Sequence, residues 1–393
     1  MQRTTRVAMV LVLLGCGLLL AGRPARASDY GLVDVILLPT SANTLFSFDI
    51  SWVDAGTQQY YLADRNNAAV DVVDARTHTF IGQISGFVGF RPSPPSTSGP
   101  NGILVIPSLN QLWAGDGNST VKVVDLSSNT IIDTIDTGGT RRVDELAYDP
   151  DDGLILVAND AEPTPYVTLI CAKNDTGLCA TKPEHAIVGK ILFDATTVPD
   201  GSLAEPQGLE QPVWDPTTER FYQAVPATTT YPGGAIAVID PKAMAVEEVF
   251  GLEACNPHGL TLGPNVQLLA GCNGGNSPVG TPLVSLILEA VHGALVAKIP
   301  QVGGSDEVWF NPGDNRYYLA ASSWTTTALT GGPSFPVLGV IDAITNTWIE
   351  NLPTENSGGG TAHSVAVNPQ TNEIFLPLPD VGIGVYTGGS AGE

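Results

Sequence analysis

Over 393 residues the chain carries 40 acidic and 17 basic side chains, a formal charge of −23. Such a balance repels a phosphate backbone and an anionic membrane surface, so nucleic acid and lipid are excluded as partners. Charged residues make up only 15% of the chain, whereas 43 Gly, 30 Pro and 43% hydrophobic residues describe a turn-rich β protein and not a disordered one.

Residues 1–27 read as a signal peptide. Arg3 and Arg6 precede an apolar core from Val7 to Leu20, and Ala25-Arg26-Ala27 forms a small-x-small cleavage site before Ser28. The apolar run is too short to span a membrane, which predicts a periplasmic or secreted chain with no membrane insertion once the leader is removed. A second reading takes Leu13-Leu14-Gly15-Cys16 as a lipoprotein box with lipidated Cys16. Cleavage before Ser28 removes four of the 17 basic residues and none of the acids. Residues 28–393 are then expected to form a single domain.

In chain order, Gly31–Pro39 (GLVDVILLP) is a strand with no local partner. FDISWVDAGTQQYYLAD follows as two short strands about a turn, and VDVVDARTHTFIGQI adds two more. The same first hairpin returns as PNGILVIPSLNQLWAGD, VDELAYDPDDGLILVAN, LEQPVWDPTTERFYQAV, PHGLTLGPNVQLLAGC, SDEVWFNPGDNRYYLAA and AHSVAVNPQTNEIFLPL. The second returns as VKVVDLSSNTIIDTI, IAVIDPKAMAVEEVF and LGVIDAITNTWIENL. Aligned on the first turn, each unit opens with a polar residue at one register: Asp49, Asn101, Asp144, Glu210, His258, Asp306 and His363. Their separations of 52, 43, 66, 48, 48 and 57 residues match propeller blades and not helical solenoids. The predicted fold is therefore all-β, a seven-bladed β-propeller of four-stranded antiparallel blades. After His363 only about three strands fit, so Gly31–Pro39 is expected to complete the last blade, closing the ring and hiding a strand edge.

The V-x-V-x-D-x-x-x-x-T runs resemble YVTN-type repeats, found in seven-bladed propellers of exported bacterial proteins. Pro100–Ile103 (PNGI) and Pro257–Leu260 (PHGL) resemble the inner-strand openings of gluconolactonase and virginiamycin B lyase propellers. The first resemblance covers essentially the whole mature chain and implies the fold. The second covers a few residues per blade and implies a metal-assisted hydrolase, lactonase-like or esterase-like, or a lyase, acting on a small molecule. By likeness to gluconolactonases, Asn101, Asp144, Glu210 and Asp306 are ligands; by likeness to the lyase, a histidine is the base beside a cation. The chain departs from gluconolactonases, which have six blades and a different motif order.

The seven register positions hold four carboxylates, two imidazoles and an amide, with no Ser, Thr, Lys or Gln among them. Channel openings are commonly polar because water reaches them, but that does not explain so narrow a choice. His258, Asp306 and His363 occupy one arc and suit Zn²⁺, Fe²⁺ or Mn²⁺. Asn101, Asp144 and Glu210 occupy the opposite arc and suit Ca²⁺ or Mg²⁺. With Asp49 they are the candidate ligands of a divalent metal, and His258 and His363 the candidate catalytic acid or base. Glu145, Gln211 and Glu307 lie one residue later and are expected to point differently, supporting the ring from behind. Arg141 and Arg142 beside Asp144 offer charge compensation without any metal. The other histidines (His78, His185 and His292) are expected in turns or outer strands as solvated surface groups. Long connections, among them Ser85–Pro100, Asp194–Pro206 and Ala321–Pro336 with its Trp324, are expected to gather at one funnel mouth.

Four cysteines remain after the leader. Cys171 and Cys179 bracket a short loop, and Cys255 and Cys272 flank a hairpin, so of three possible pairings the two local disulfides are expected. There is no C-x-x-C-H for haem, no quinoprotein tryptophan repeat and no G-x-S-x-G elbow, and no nucleotide, haem or quinone cofactor is expected. Two function classes stay open: an enzyme on a small-molecule substrate, and a non-catalytic platform for a ligand or another exported protein.

Overall fold

The computed structural model describes residues 30–39, 42–273, 283–322, 336–354 and 363–388. The leader, the cleavage point before Ser28, Cys16 and Trp324 lie outside them. Within them the chain forms 28 strands, β1–β28 in chain order, in seven four-stranded antiparallel sheets. The inner strands are β2 (Phe48–Asp54), β6 (Ile103–Ile106), β10 (Leu146–Asp149), β14 (Pro212–Asp215), β18 (Pro257–Gly263), β22 (Ser305–Asn311) and β26 (Ala366–Val367). The seven-bladed propeller is as expected.

The repeated aspartate in each V-x-V-x-D run has a local task. Oδ1 of Asp74 accepts from the backbone N–H of Arg76 and Thr77, both at 2.9 Å, and Asp342 does the same for Ile344 and Thr345 at 3.0 and 2.8 Å. Side-chain acceptance of turn amides is what sets the tight connection into the outer strand. Packing is between blades. Leu104, Trp113 and Val121 of the second blade bury against Leu146, Ile155 and Ile170 of the third, and equivalent clusters join other neighbours.

Closure is by the N-terminal strand. β1 (Tyr30–Ile36) pairs antiparallel with β28 (Gly382–Gly388), from Tyr30 opposite Gly388 to Ile36 opposite Ile383, and completes the blade of β26, β27 (Glu373–Leu378) and β28. His78 pins this strand: its Nδ1 lies 3.0 Å from Asp34 on β1 and its Nε2 3.3 Å from Glu373 on β27. The ring is only 15% exposed, so His78 is a blade-to-blade contact and not the solvated group expected. His185 departs in the same way, bonded to Asp133 at 2.7 Å and packed edge-on against Trp113. His292 is exposed, as expected.

Both disulfides form as expected, Cys171–Cys179 and Cys255–Cys272. Such bonds persist in an oxidising compartment. Among the described residues no helix is long and apolar enough to cross a membrane.

Candidate functional site

Six of the seven register positions sit at a repeated backbone irregularity, and six of the seven line the axial cavity. The exception there is Asn101, expected as a ligand, whose amide nitrogen donates to Ser98 O and Val143 O and whose oxygen accepts from Arg65. Asn101 N–H donates to Gly115 O (2.9 Å) while Gly115 N–H donates to Gly102 O (3.0 Å), so two residues face one. Asp144 and Glu145 face Ala158 in the same way, and Glu210 and Gln211 face Ala224. In β2, β18 and β22 the register shifts between Phe48 and Ser51, Pro257 and Leu260, and Ser305 and Glu307. A bulge of this kind breaks the alternation of a strand and re-aims consecutive side chains. Glu145 and Glu307 were expected to point away from the ring. The bulge instead turns both into the same cavity as Asp144 and Asp306.

The glycines of PNGI and PHGL have a packing reason. A Cβ on Gly102 would stand 2.2 Å from Asp144 O, and one on Gly259 would stand 2.6 Å from Asp306 O. Only glycine lets the next blade's strand come this close at the axis.

The axial cavity is about 200 Å³ and is lined by six carboxyl groups, two guanidinium groups and two imidazoles, with Asn273 beside them. Its contacts run around the ring. Nε2 of His363 bonds Asp49 Oδ1 at 3.0 Å and its Nδ1 bonds Asp306 Oδ2 at 2.6 Å. Nδ1 of His258 bonds Asp306 Oδ1 at 2.9 Å and lies 3.5 Å from Glu210 Oε1. Asn273 donates to Asp306 Oδ1 at 3.0 Å. Arg65 pairs with Asp49 and donates to Asn101 Oδ1 through Nε at 2.9 Å. Arg142 holds Asp144 and Asp160, each at 2.8 Å. Glu145 and Glu307, from the third and sixth blades, both line this cavity.

This geometry sets protonation. Two carboxylates accept from the two nitrogens of His363, so both nitrogens donate and the ring is an imidazolium. Burial opposes that charge, but Asp306 and Asp49 hold the His363 pKa well above its usual value. His258 is raised to about 9, burial being outweighed by Glu210 and Asp306. Asp306 is buried, yet His363 and His258 hold its carboxyl well below the usual range. Burial lifts Glu210 to about 7 against the pull of His258. Glu145 and Glu307 are pushed well up by burial and by neighbouring acids.

The arrangement bears on the expected metal. Among the described residues no group of three or more His, Cys, Asp or Glu is placed to hold a metal ion. The donors face imidazolium N–H and guanidinium groups instead, so as arranged here they do not fit a divalent ion.

Two expected supporting residues lie apart from the ring. Gln211 Oε1 accepts from the N–H of Leu260 at 2.7 Å, tying the fourth blade to the fifth. Its side chain lines a different cavity. The backbone N–H of Arg141 donates to Glu162, and its guanidinium lies 3.5 Å from Ser96 Oγ, leaving Arg142 as the partner of Asp144. Sequence reading missed Arg65, Asp160 and Asn273. Each is the first residue after a blade's second strand: β3 (Gln59–Asp64), β11 (Leu154–Asn159) and β19 (Gln267–Cys272). Extending the repeat alignment by that one position would have found all three.

Fold and site together define a seven-bladed β-propeller with a proton-rich, charged cavity on its axis. No family model matches the chain, and no curated protein does. Among solved structures it is similar to hydrazine synthase of Kuenenia stuttgartiensis, with a TM-score of 0.65 and 14% identity over 90% of this chain and 98% of that one. At that identity the likeness carries the fold alone.

Proposed function

We propose that this is an exported propeller whose axial cavity binds a small polar molecule and acts on it by proton transfer, as a hydrolase or lyase. The observation that carries the reading is His258, held by Asp306 at 2.9 Å and facing Glu210 at 3.5 Å inside one cavity. Two neighbouring titratable groups pushed in pKa by their surroundings, one to about 7 and one to about 9, form an acid and base couple at neutral pH. Glu210 takes a proton from substrate or water, and the His258 imidazolium gives one to the leaving oxygen. Asp306, fixed by His363 and Asn273, orients the His258 ring. His363 is locked as a cation and supplies fixed positive charge where negative charge develops. The two disulfides and the leader-like first 27 residues support export.

The test is turnover of a panel of lactones and esters by the wild-type protein and by Glu210→Gln and His258→Ala. The expected outcome is turnover that falls about 10²- to 10⁴-fold in each variant while the circular dichroism of the folded β-sheet is retained. No turnover across the panel, or turnover that both variants keep, overturns the catalytic reading. Plasma mass spectrometry on the same samples tests for metal. A stoichiometric ion lost in the Asp306→Ala/His363→Ala double variant would replace proton transfer with metal-assisted chemistry.

A further inference from the structure

Beyond the acidic layer the inner strands change character. Three or four residues after the ring positions the side chains are Trp52, Ala147, Tyr148, Val213, Thr261 and Trp309. They wall a second cavity of about 470 Å³ that extends to Pro150 in a first-hairpin turn, at the channel end opposite the strand openings. That volume lies within the range of small-molecule pockets. No Asp, Glu, Lys, Arg or His lines it, in a chain with 40 acidic residues.

Aromatic rings form much of its wall. Trp52 and Trp309 meet edge to face, centroids 4.9 Å apart at 79°, and Tyr148, Trp214 and Phe310 stand around them. Elsewhere in the molecule large rings such as Trp113, Tyr60 and Tyr222 are fully buried. Trp52, Tyr148, Trp309 and Phe310 are only half-buried, because their remaining surface faces this space. The two indoles in contact leave outer ring surface toward the cavity, against which a flat ring can pack. Polar handles are few. Gln211 has its oxygen committed to Leu260, leaving the amide nitrogen, and the Thr261 hydroxyl on the wall adds one donor and acceptor.

We propose that this cavity is a second ligand site, selective for a small uncharged aromatic molecule of the phenol or indole class. The rings select the flat body, the lack of any charged group rejects ions, and Thr261 with Gln211 takes one polar substituent. The site shares no side chain with the acidic cavity, so it does not rest on the proton-transfer reading.

Isothermal titration with 2-naphthol at neutral pH tests it, with 2-naphthalenesulfonate as the charged control. The expected result is saturable one-to-one binding, weakened about tenfold or more in Val213→Trp, which fills the cavity, and in Trp309→Ala, which removes its wall. The sulfonate is expected to bind at least about tenfold more weakly than the naphthol. Should Val213→Trp fail to fold, Thr261→Leu, at a partly buried wall position, adds a smaller side chain to the same cavity and reads the same question. Absent or non-saturable heat, equal binding of the sulfonate, or full affinity in a folded cavity-filling variant overturns the site.

Discussion

Arg65 and Asp49 are the clearest case of a single contact organising the axis. Asp49 is buried, and its carboxyl is held below the usual range because Arg65 and His363 outweigh the effect of burial. Arg65 also reaches Asn101 in the next blade, so one guanidinium joins two blades. Truncating it removes one of the two cations that hold Asp49 and leaves a buried carboxylate with His363 alone. Arg65→Leu is expected to lower unfolding free energy by about 3–5 kcal/mol, and Arg65→Leu/Asp49→Leu to recover most of that loss. Urea denaturation of the two single variants and the double variant measures the coupling; strict additivity would show that the pair does not matter. At this scale the ring carboxylates and histidines were legible in the sequence because each opens a repeat. Arg65 went unread because it lies one position past the aligned repeat, after a second strand whose end comes round to the axis.

Among the strands, β1 carries the most consequence for its length. Its seven residues supply the outer strand of a blade that the C-terminal segment leaves one strand short. Asp34 on β1 adds the ion pair to His78, and Tyr30 lies edge-on to Tyr318 at 6.1 Å while bonded to Arg316. Deleting residues 30–36 would bare the edge of β28, a row of unpaired backbone groups that pairs with other chains. Expected are a loss of more than about 2 kcal/mol of stability and elution above monomer mass in size-exclusion chromatography. Unchanged elution and melting of the deleted form would mean that the ring holds without its closing strand. Strand closure was readable by counting strands. The bulges were not, because a bulge shows only when two strands are laid side by side and one residue is left over.

Taken as one charged body, the axis makes stability depend on pH. Glu145 and Glu307 have pKa values raised well above 4.5 by burial, so the folded state prefers them protonated. Their contribution is fully present below 4.5 and is lost as pH rises through the raised values. Glu210 adds a loss between 4.5 and about 7, and His258 one between 6.5 and about 9. Asp306 works in the opposite sense: its value is held well below 3.8, so its contribution is present above 3.8 and fades as pH falls further. Greatest stability is therefore expected in mildly acidic solution, with unfolding free energy higher at pH 5 than at pH 8 by on the order of 2 kcal/mol. Glu145→Gln/Glu307→Gln, a permanently neutral pair, is expected to reduce that difference to the part carried by Glu210 and His258. Equal urea midpoints for the wild type at the two pH values would refute the sign.

Repetition is a one-dimensional property, and it was enough to determine the fold class, the number of blades and the register of the axial residues. Each blade repeats the same turns and alternation, so local chemistry and global topology agree. Tertiary structure decided what those residues are to one another. Glu145 and Glu307 lie 162 positions apart and share one cavity because the third and sixth blades face across a channel. His363 becomes an imidazolium because ring closure brings Asp49 to one nitrogen while Asp306 takes the other. Charge state, partner and cavity are properties of proximity, and proximity between blades exists only once the ring has closed.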